Sequence, residues 1–149
     1  MRAAAAVCDT GAMTLVLIAI ALYLASAGLL ARRLATAGPA VPAALWLLPA
    51  VAAAMHLGVH GMAWHAAGGE NLHFFSALSI VGVGMAMVTV LMGLRGRMAA
   101  LGVIVFPISA GCLLLYGAFG RHDVQALDWR LLLHAWCALL AYATLAVAT

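Results

Sequence analysis

The chain has 149 residues, of which 68% are hydrophobic and only 7% charged, and its mean hydropathy is +1.17. Those values exclude an ordinary soluble domain and place the chain among integral membrane proteins. The net charge of +3 rests on arginine alone, with no lysine. Scattered singly or in pairs between apolar runs, the arginines form no nucleic-acid patch and serve instead as topology signals.

Five apolar runs follow in chain order, each near the ~20 residues a helix needs to cross a ~30 Å hydrocarbon core. The first, 12–31, ends in LASAG, the pattern of a signal-peptide cleavage site. Arg32 and Arg33 directly after it act as a stop-transfer signal, so the run reads as a retained helix. GPAVP (38–42) leads into the second run, 42–63, where Pro49 predicts a kink. HAAGGENLH (65–73) is a polar turn. The third run, 74–94, carries Ser79, Gly82 and Ala86 at helical intervals, small residues that allow helices to approach closely. RGR at 95–97 makes a tight connection to the fourth run, 99–119, which contains Pro107. After the polar loop GRHDVQALDW (120–129), a fifth run, 131–149, reaches the last residue with no polar stop beyond it.

The expectation is an all-α polytopic bundle of about five membrane helices in one transmembrane domain over 1–149, reading as the amino-terminal part of a longer one. Arg32, Arg33, Arg95 and Arg97 fall on one side, and Arg121 and Arg130 fall on the other with Glu70, Asp123 and Asp128. By the positive-inside rule the two short arginine-dense segments are cytoplasmic and the amino terminus is external. Arginine without lysine, with abundant alanine and glycine, suggests a GC-rich bacterial genome.

Cys8, Cys112 and Cys137 are widely spaced and form no CxxC pair, which supports neither a zinc site nor a thiol redox motif; without CxxCH there is no covalent haem attachment. Met55, Met62, Met85, Met87, Met92 and Met98 offer thioethers that suit Cu(I), but they do not cluster and read as gap-filling core residues. Trp136 and Tyr142 read as packing aromatics. No acid–base pair, nucleophile with its base, or phosphate loop is present, so the chain does not read as an enzyme.

The histidines carry the chemical interest. MHLGVHGMAWH (55–65) sets His56 and His60 at i and i+4, on one face of the second helix. Such a pair can chelate a small ion but cannot grip a haem iron from opposite sides, so axial ligation needs a second helix. His134, near the start of the fifth helix on the same side of the membrane, is the other histidine inside an apolar run. Counting ~1.5 Å per residue from Trp64 and Trp129 as interface anchors places His60 and His134 at a shared depth. One of His56 or His60 with His134 is then the expected haem pair, with Arg121 and Arg130 above it for the propionates. His65, His73 and His122 read as solvated loop residues. Two other readings stand beside this one: the same histidines relaying protons in a small transporter, or simply satisfied by hydrogen bonds in a structural subunit without cofactor.

From Gly69 onward the segments GENLHFFSALSIVG, RGR, LGVIVFPISAGCLLL and LLLHAWCALLAYATLAVA follow one another in an order that resembles the cytochrome c assembly family. The likeness is nearest to its HemX-like inner-membrane branch, relatives of the Ccs and Ccm type haem-handling proteins. It covers about Trp46 to the end and is carried most strongly by His134 followed eight residues later by Tyr142-Ala143. The resemblance implies a helical membrane bundle that handles haem b on the external side during cytochrome c assembly. It marks His134 as a haem-binding residue, and His56 as the counterpart of an early histidine, whereas depth along the helix favours His60. The implied partners are haem, the lipid bilayer and other cytochrome c maturation proteins, with no nucleic acid. Members of that family usually continue for several more helices, and the tryptophan-rich external motif of its better known branches is absent here.

Overall fold

The computed structural model describes residues 2–37, 41–69, 72–96, 99–120 and 129–148. Arg121 lies outside them, as do Glu70, Arg97, Met98, His122, Asp123 and Asp128 and the side chains of Arg2 and Cys8. The described residues form α1 (Arg2–Ala37), a 3-10 turn (Ala43–Trp46), α2 (Leu47–Ala67), α3 (Phe74–Leu94), α4 (Ala99–Phe119) and α5 (Trp129–Ala148), and include no strand. Four of these helices are long and apolar enough to cross a membrane, and the apolar stretch of the fifth, Arg130–Ala146, is shorter. The chain is an all-α, multi-pass membrane bundle.

α3 and α4 occupy the same residues as the apolar runs. α1 extends beyond its run at both ends, because alanine-rich sequence and arginine both favour helix. Charge that holds a segment in the membrane therefore does not end the helix. The kink expected at Pro49 does not arise in mid-helix: α2 starts at Leu47, so the proline sits in the first turn. Its missing N–H there removes a donor that a helix start leaves unpaired in any case.

α2 closes on Gly68, whose φ of 75° is the left-handed conformation that glycine adopts without strain, and Gly69 N–H donates to the Trp64 carbonyl at 3.1 Å. α3 opens on His73, not a solvated loop residue as expected. Its Nδ1 accepts from the backbone N–H groups of Phe75 at 3.1 Å and Ser76 at 3.4 Å, so the ring caps the helix.

α1 packs on α2 and α4, α3 on α4, and α2 on α3, which closes a ring of four; α5 lies outside it against α3. One end of the bundle carries Arg32, Arg33 and Arg95 (the arginine end). At the other, α2 turns into α3 by way of His73 (the histidine end). Lipid is as apolar as leucine, so close packing decides which faces meet. Gly93 makes room for the Trp46 indole, and a Cβ at Gly82 would stand 2.9 Å from Cys112 Cβ. That close approach lets Ser109 Oγ donate to the Gly82 carbonyl at 2.7 Å, across the α3–α4 seam. Tyr23, Phe106 and Trp46 fill the centre, Tyr23 stacked on Phe106 with centroids 6.0 Å apart and Trp46 edge-on to it at 6.4 Å. Met85 and Cys112 are buried in the bundle, and Cys137 is exposed; both cysteines are free thiols.

Candidate functional site

Polar side chains in a membrane bundle must find partners inside it, because hydrocarbon supplies none. α2 places His56 and His60 one turn apart on its inner face, and their rings stack with centroids 5.7 Å apart and planes at 19°. Both are sealed, at 0% and 1% exposure, and so is Ser79 on the facing surface of α3, at 0%. The two Nε2 atoms converge on the Ser79 hydroxyl, His56 at 2.8 Å and His60 at 2.9 Å.

A hydroxyl has one proton to donate. Serving both rings at once, Ser79 donates to one Nε2 and accepts from an N–H at the other, so the two neutral imidazoles hold opposite tautomers. His56 completes its bonding through Nδ1, which lies 3.4 Å from the Tyr23 hydroxyl. The Tyr23 ring stands edge-on to it at 6.0 Å. His60 differs. Its ring stacks on Tyr116 at 4.4 Å and lies against Trp64 at 5.7 Å, but its buried Nδ1 has no hydrogen-bond partner among the described residues. Tyr116 stacks in turn on the His73 ring at 6.2 Å. His56 thus fits the reading of a satisfied structural histidine, and His60 does so at one nitrogen only.

The structure does not bring His134 to either of them. Two contacts orient α5: Trp136 meets Trp64 edge-to-face at 5.7 Å, and buried Ala143 seats against Gly84, where a Cβ would stand 2.8 Å from its own. His134 is two residues from Trp136, about 200° around a helix of 3.6 residues per turn, and so faces away from α2 and is exposed. The shared depth fails as well. With Trp136 level with Trp64, His60 lies about 6 Å inward and His134 about 3 Å toward the histidine end, at ~1.5 Å per residue.

The expected axial pair of His134 with His56 or His60 is therefore corrected. The two rings stack on one face of α2 and both Nε2 atoms are bonded to the Ser79 hydroxyl, so the structure does not choose between His56 and His60 as a ligand. The His134 ring is exposed on α5. Arg130 lies one turn before it on the same exposed face of α5. Tyr142 is exposed too, while its neighbour Ala143 is buried, so the YA pair divides between an outer surface and a helix seam. Among the described residues no group of three or more His, Cys, Asp or Glu side chains converges on a point where a metal ion would sit.

Sequence reasoning missed Tyr23, Tyr116 and Ser76 as members of the cluster and took Ser79 mainly as a small packing residue. The available signal was a lone tyrosine in mid-span and two serines at i and i+3 on one face of a membrane helix, positions where a hydroxyl needs a buried partner.

A ring of membrane-length helices around a sealed imidazole–hydroxyl cluster, with a further histidine displayed on an outer helix, defines the class: a multi-pass membrane protein with an internal polar core. In comparisons with protein families, curated proteins and solved structures, nothing matches this chain.

Proposed function

We propose that this protein binds haem b at the external end of the bundle and passes it on during cytochrome c assembly in the bacterial inner membrane, with His134 as the iron ligand. The observation that carries the reading is the exposed face of α5, where Arg130 and His134 stand one turn apart. An imidazole and a guanidinium at that spacing match the two kinds of group a haem offers: iron, and carboxylates. The order of motifs ending in His134 and Tyr142-Ala143, similar to the cytochrome c assembly family, supports it. Ala143 seats α5 on α3, and that seating turns His134 outward.

Haem, when bound, would supply an iron that accepts an imidazole and propionates that accept hydrogen bonds from arginine. The chain's own part is to hold and orient: His134 would ligate, Arg130 would anchor, and the contact of α5 with α3 sets where both stand. A single ligand on an accessible face suits a carrier that must release its cargo better than a sealed two-ligand pocket does. The external placement of the histidine end follows from Arg32, Arg33 and Arg95 at the opposite end, under the positive-inside rule.

The test is haem titration of the purified protein in detergent. Wild type should show a saturable Soret band, His134→Ala should lose it, and the double variant His56→Ala with His60→Ala should keep it if folded. The same Soret band in wild type and His134→Ala, or none in wild type, would overturn the assignment.

A further inference from the structure

Four buried polar side-chain atoms have no hydrogen-bond partner among the described residues: Trp46 Nε1, His60 Nδ1, Trp64 Nε1 and Ser76 Oγ. Three of the four belong together. Trp64 is one turn beyond His60 on α2, with its ring 5.7 Å from the His60 ring. Ser76 is one turn before Ser79 on the same face of α3, and Ser79 is bonded to His60. The helices are antiparallel, so a step from the His60–Ser79 bond toward the histidine end meets Trp64 on one wall and Ser76 on the other. Tyr116 stacks on His60 and closes the layer from α4.

We infer that His60 Nδ1, Trp64 Nε1 and Ser76 Oγ enclose a binding site for a water molecule. The inference uses no residue assigned to haem. His60 and Ser76 are each 1% exposed, so bulk solvent does not serve them. A buried water needs roughly two to four polar partners, and this layer offers three. Water also suits the chemistry of each atom. Trp64 Nε1–H only donates, and so claims one lone pair of the water. The second lone pair is open to His60 Nδ1–H, or one water proton to a bare His60 Nδ1, and Ser76 Oγ takes a remaining proton. No permanently ionised side chain of the described residues stands in the layer; its other titratable groups are His60, His73 and Tyr116.

The water completes a chain that runs Tyr23, His56, Ser79, His60, water. Run in one direction, Tyr23 O–H donates to His56 Nδ1, His56 Nε2–H to Ser79 Oγ, Ser79 O–H to His60 Nε2, and His60 Nδ1–H to the water. Run in the other, each bond reverses and the Tyr23 hydroxyl proton is left without an acceptor. The first direction satisfies more groups and assigns the Nε2–H tautomer to His56 and the Nδ1–H tautomer to His60.

Trp46 supplies the internal control. Its Nε1 is equally buried and unpartnered, but its indole lies in the gap at Gly93 and edge-on to Phe106, in the apolar centre. The other three unpartnered atoms belong to the layer at His60, so a water at Trp46 would have a single unpartnered atom to serve and is not expected there. The experiment is NMR of the perdeuterated, back-exchanged protein in micelles, with water-to-indole cross-peaks and histidine ring 15N shifts as readouts. Trp64→Phe and Trp46→Phe assign the two indoles, and His60→Gln and His56→Gln assign the rings. A water cross-peak is expected at the Trp64 indole N–H and none at Trp46, with the His60 ring protonated at Nδ1 and the His56 ring at Nε2. Ser76→Ala should remove the Trp64 cross-peak, and Ser76→Thr, which keeps the hydroxyl, should restore it. No cross-peak at Trp64, equal cross-peaks at both indoles, or an unchanged Trp64 cross-peak in folded Ser76→Ala would overturn the site. The contrast between the two indoles in wild type decides the matter even where a serine variant fails to fold.

Discussion

The histidines of α2 and the histidine of α5 have the same side chain in opposite settings. His56 and His60 are enclosed by four helices and tied to one serine, whereas His134 stands on an outer helix with its ring exposed. An imidazole in the first setting is committed. Its nitrogens hold the bundle together, and removing one strands its partner. An imidazole in the second setting contributes little to folding, and its nitrogens are open to a ligand. The contrast separates stability from binding within one residue type, so the two should fail differently when mutated.

The largest effect tests that separation directly. His60→Ala or His56→Ala should cost about 2–4 kcal/mol of stability, from a cavity between packed rings and the loss of bonds to Ser79. His134→Ala should change stability by less than about 0.5 kcal/mol, as exposed substitutions do. Denaturant unfolding in detergent, followed by helical circular dichroism, reads both. Haem binding should show the reverse order, lost with His134 and retained without His56 and His60. Equal destabilisation by His134→Ala would mean that α5 uses its outer face for packing, and the comparison would break.

Ser79→Ala comes next. Loss of the hydroxyl leaves both Nε2 atoms without a partner, and the expected cost is about 1–3 kcal/mol. The shared bond should also appear as coupling: in a double-mutant cycle, Ser79→Ala and His60→Ala should be non-additive by about 0.5–3 kcal/mol. The same cycle between Ser79→Ala and His134→Ala should be additive, because no contact joins them. Additivity in the first cycle would remove Ser79 as the hub of the cluster.

How far the sequence reaches follows from the same residues. Apolar runs near twenty residues, interrupted by GGENLH and RGR, delimit α3 and α4 closely, because each interruption is too polar for the hydrocarbon. Spacing alone puts His56 and His60 on one face. The rotation of the helices about their own axes is much less legible. A soluble helix announces its buried face by contrast between polar and apolar residues; α3 offers little more than Ser76, Ser79 and Thr89 on a largely apolar helix, and Arg130 with His134 marks one face of α5 without saying which of its other faces meets the bundle. Ser79 becomes a hub, and His134 an outward residue, only through contacts between small residues and rings: Gly82 with Cys112, Gly84 with Ala143, Trp64 with Trp136. The depth estimate for His134 fails for a related reason. It takes Trp64 and Trp129 as level anchors, whereas the pair that meets is Trp64 and Trp136.

The smallest effect concerns the two glycines that set those rotations. Gly82 and Gly84 are neighbours on α3 but face different seams, one toward α4 inside the ring and one toward α5 outside it. A methyl group at either position would come within 2.9 Å of Cys112 Cβ or 2.8 Å of Ala143 Cβ, so the clash on paper is the same. The response is not. α4 is held between α1 and α3 and is bonded to Gly82 itself through Ser109, so Gly82→Ala must displace a packed seam, at about 1–3 kcal/mol. α5 rests chiefly on α3 and can shift outward by the few tenths of an ångström that a methyl requires. Replacing a helical glycine by alanine also gains up to about 1 kcal/mol in helix propensity. For Gly84→Ala that gain offsets most of the strain and leaves a net change near zero; for Gly82→Ala it does not. Unfolding of the two variants side by side gives the difference. Should Gly84→Ala cost as much as Gly82→Ala, α5 is fixed as firmly as the four-helix ring, and the exposure of His134 is a rigid property of the fold and not one that a small shift of α5 can adjust.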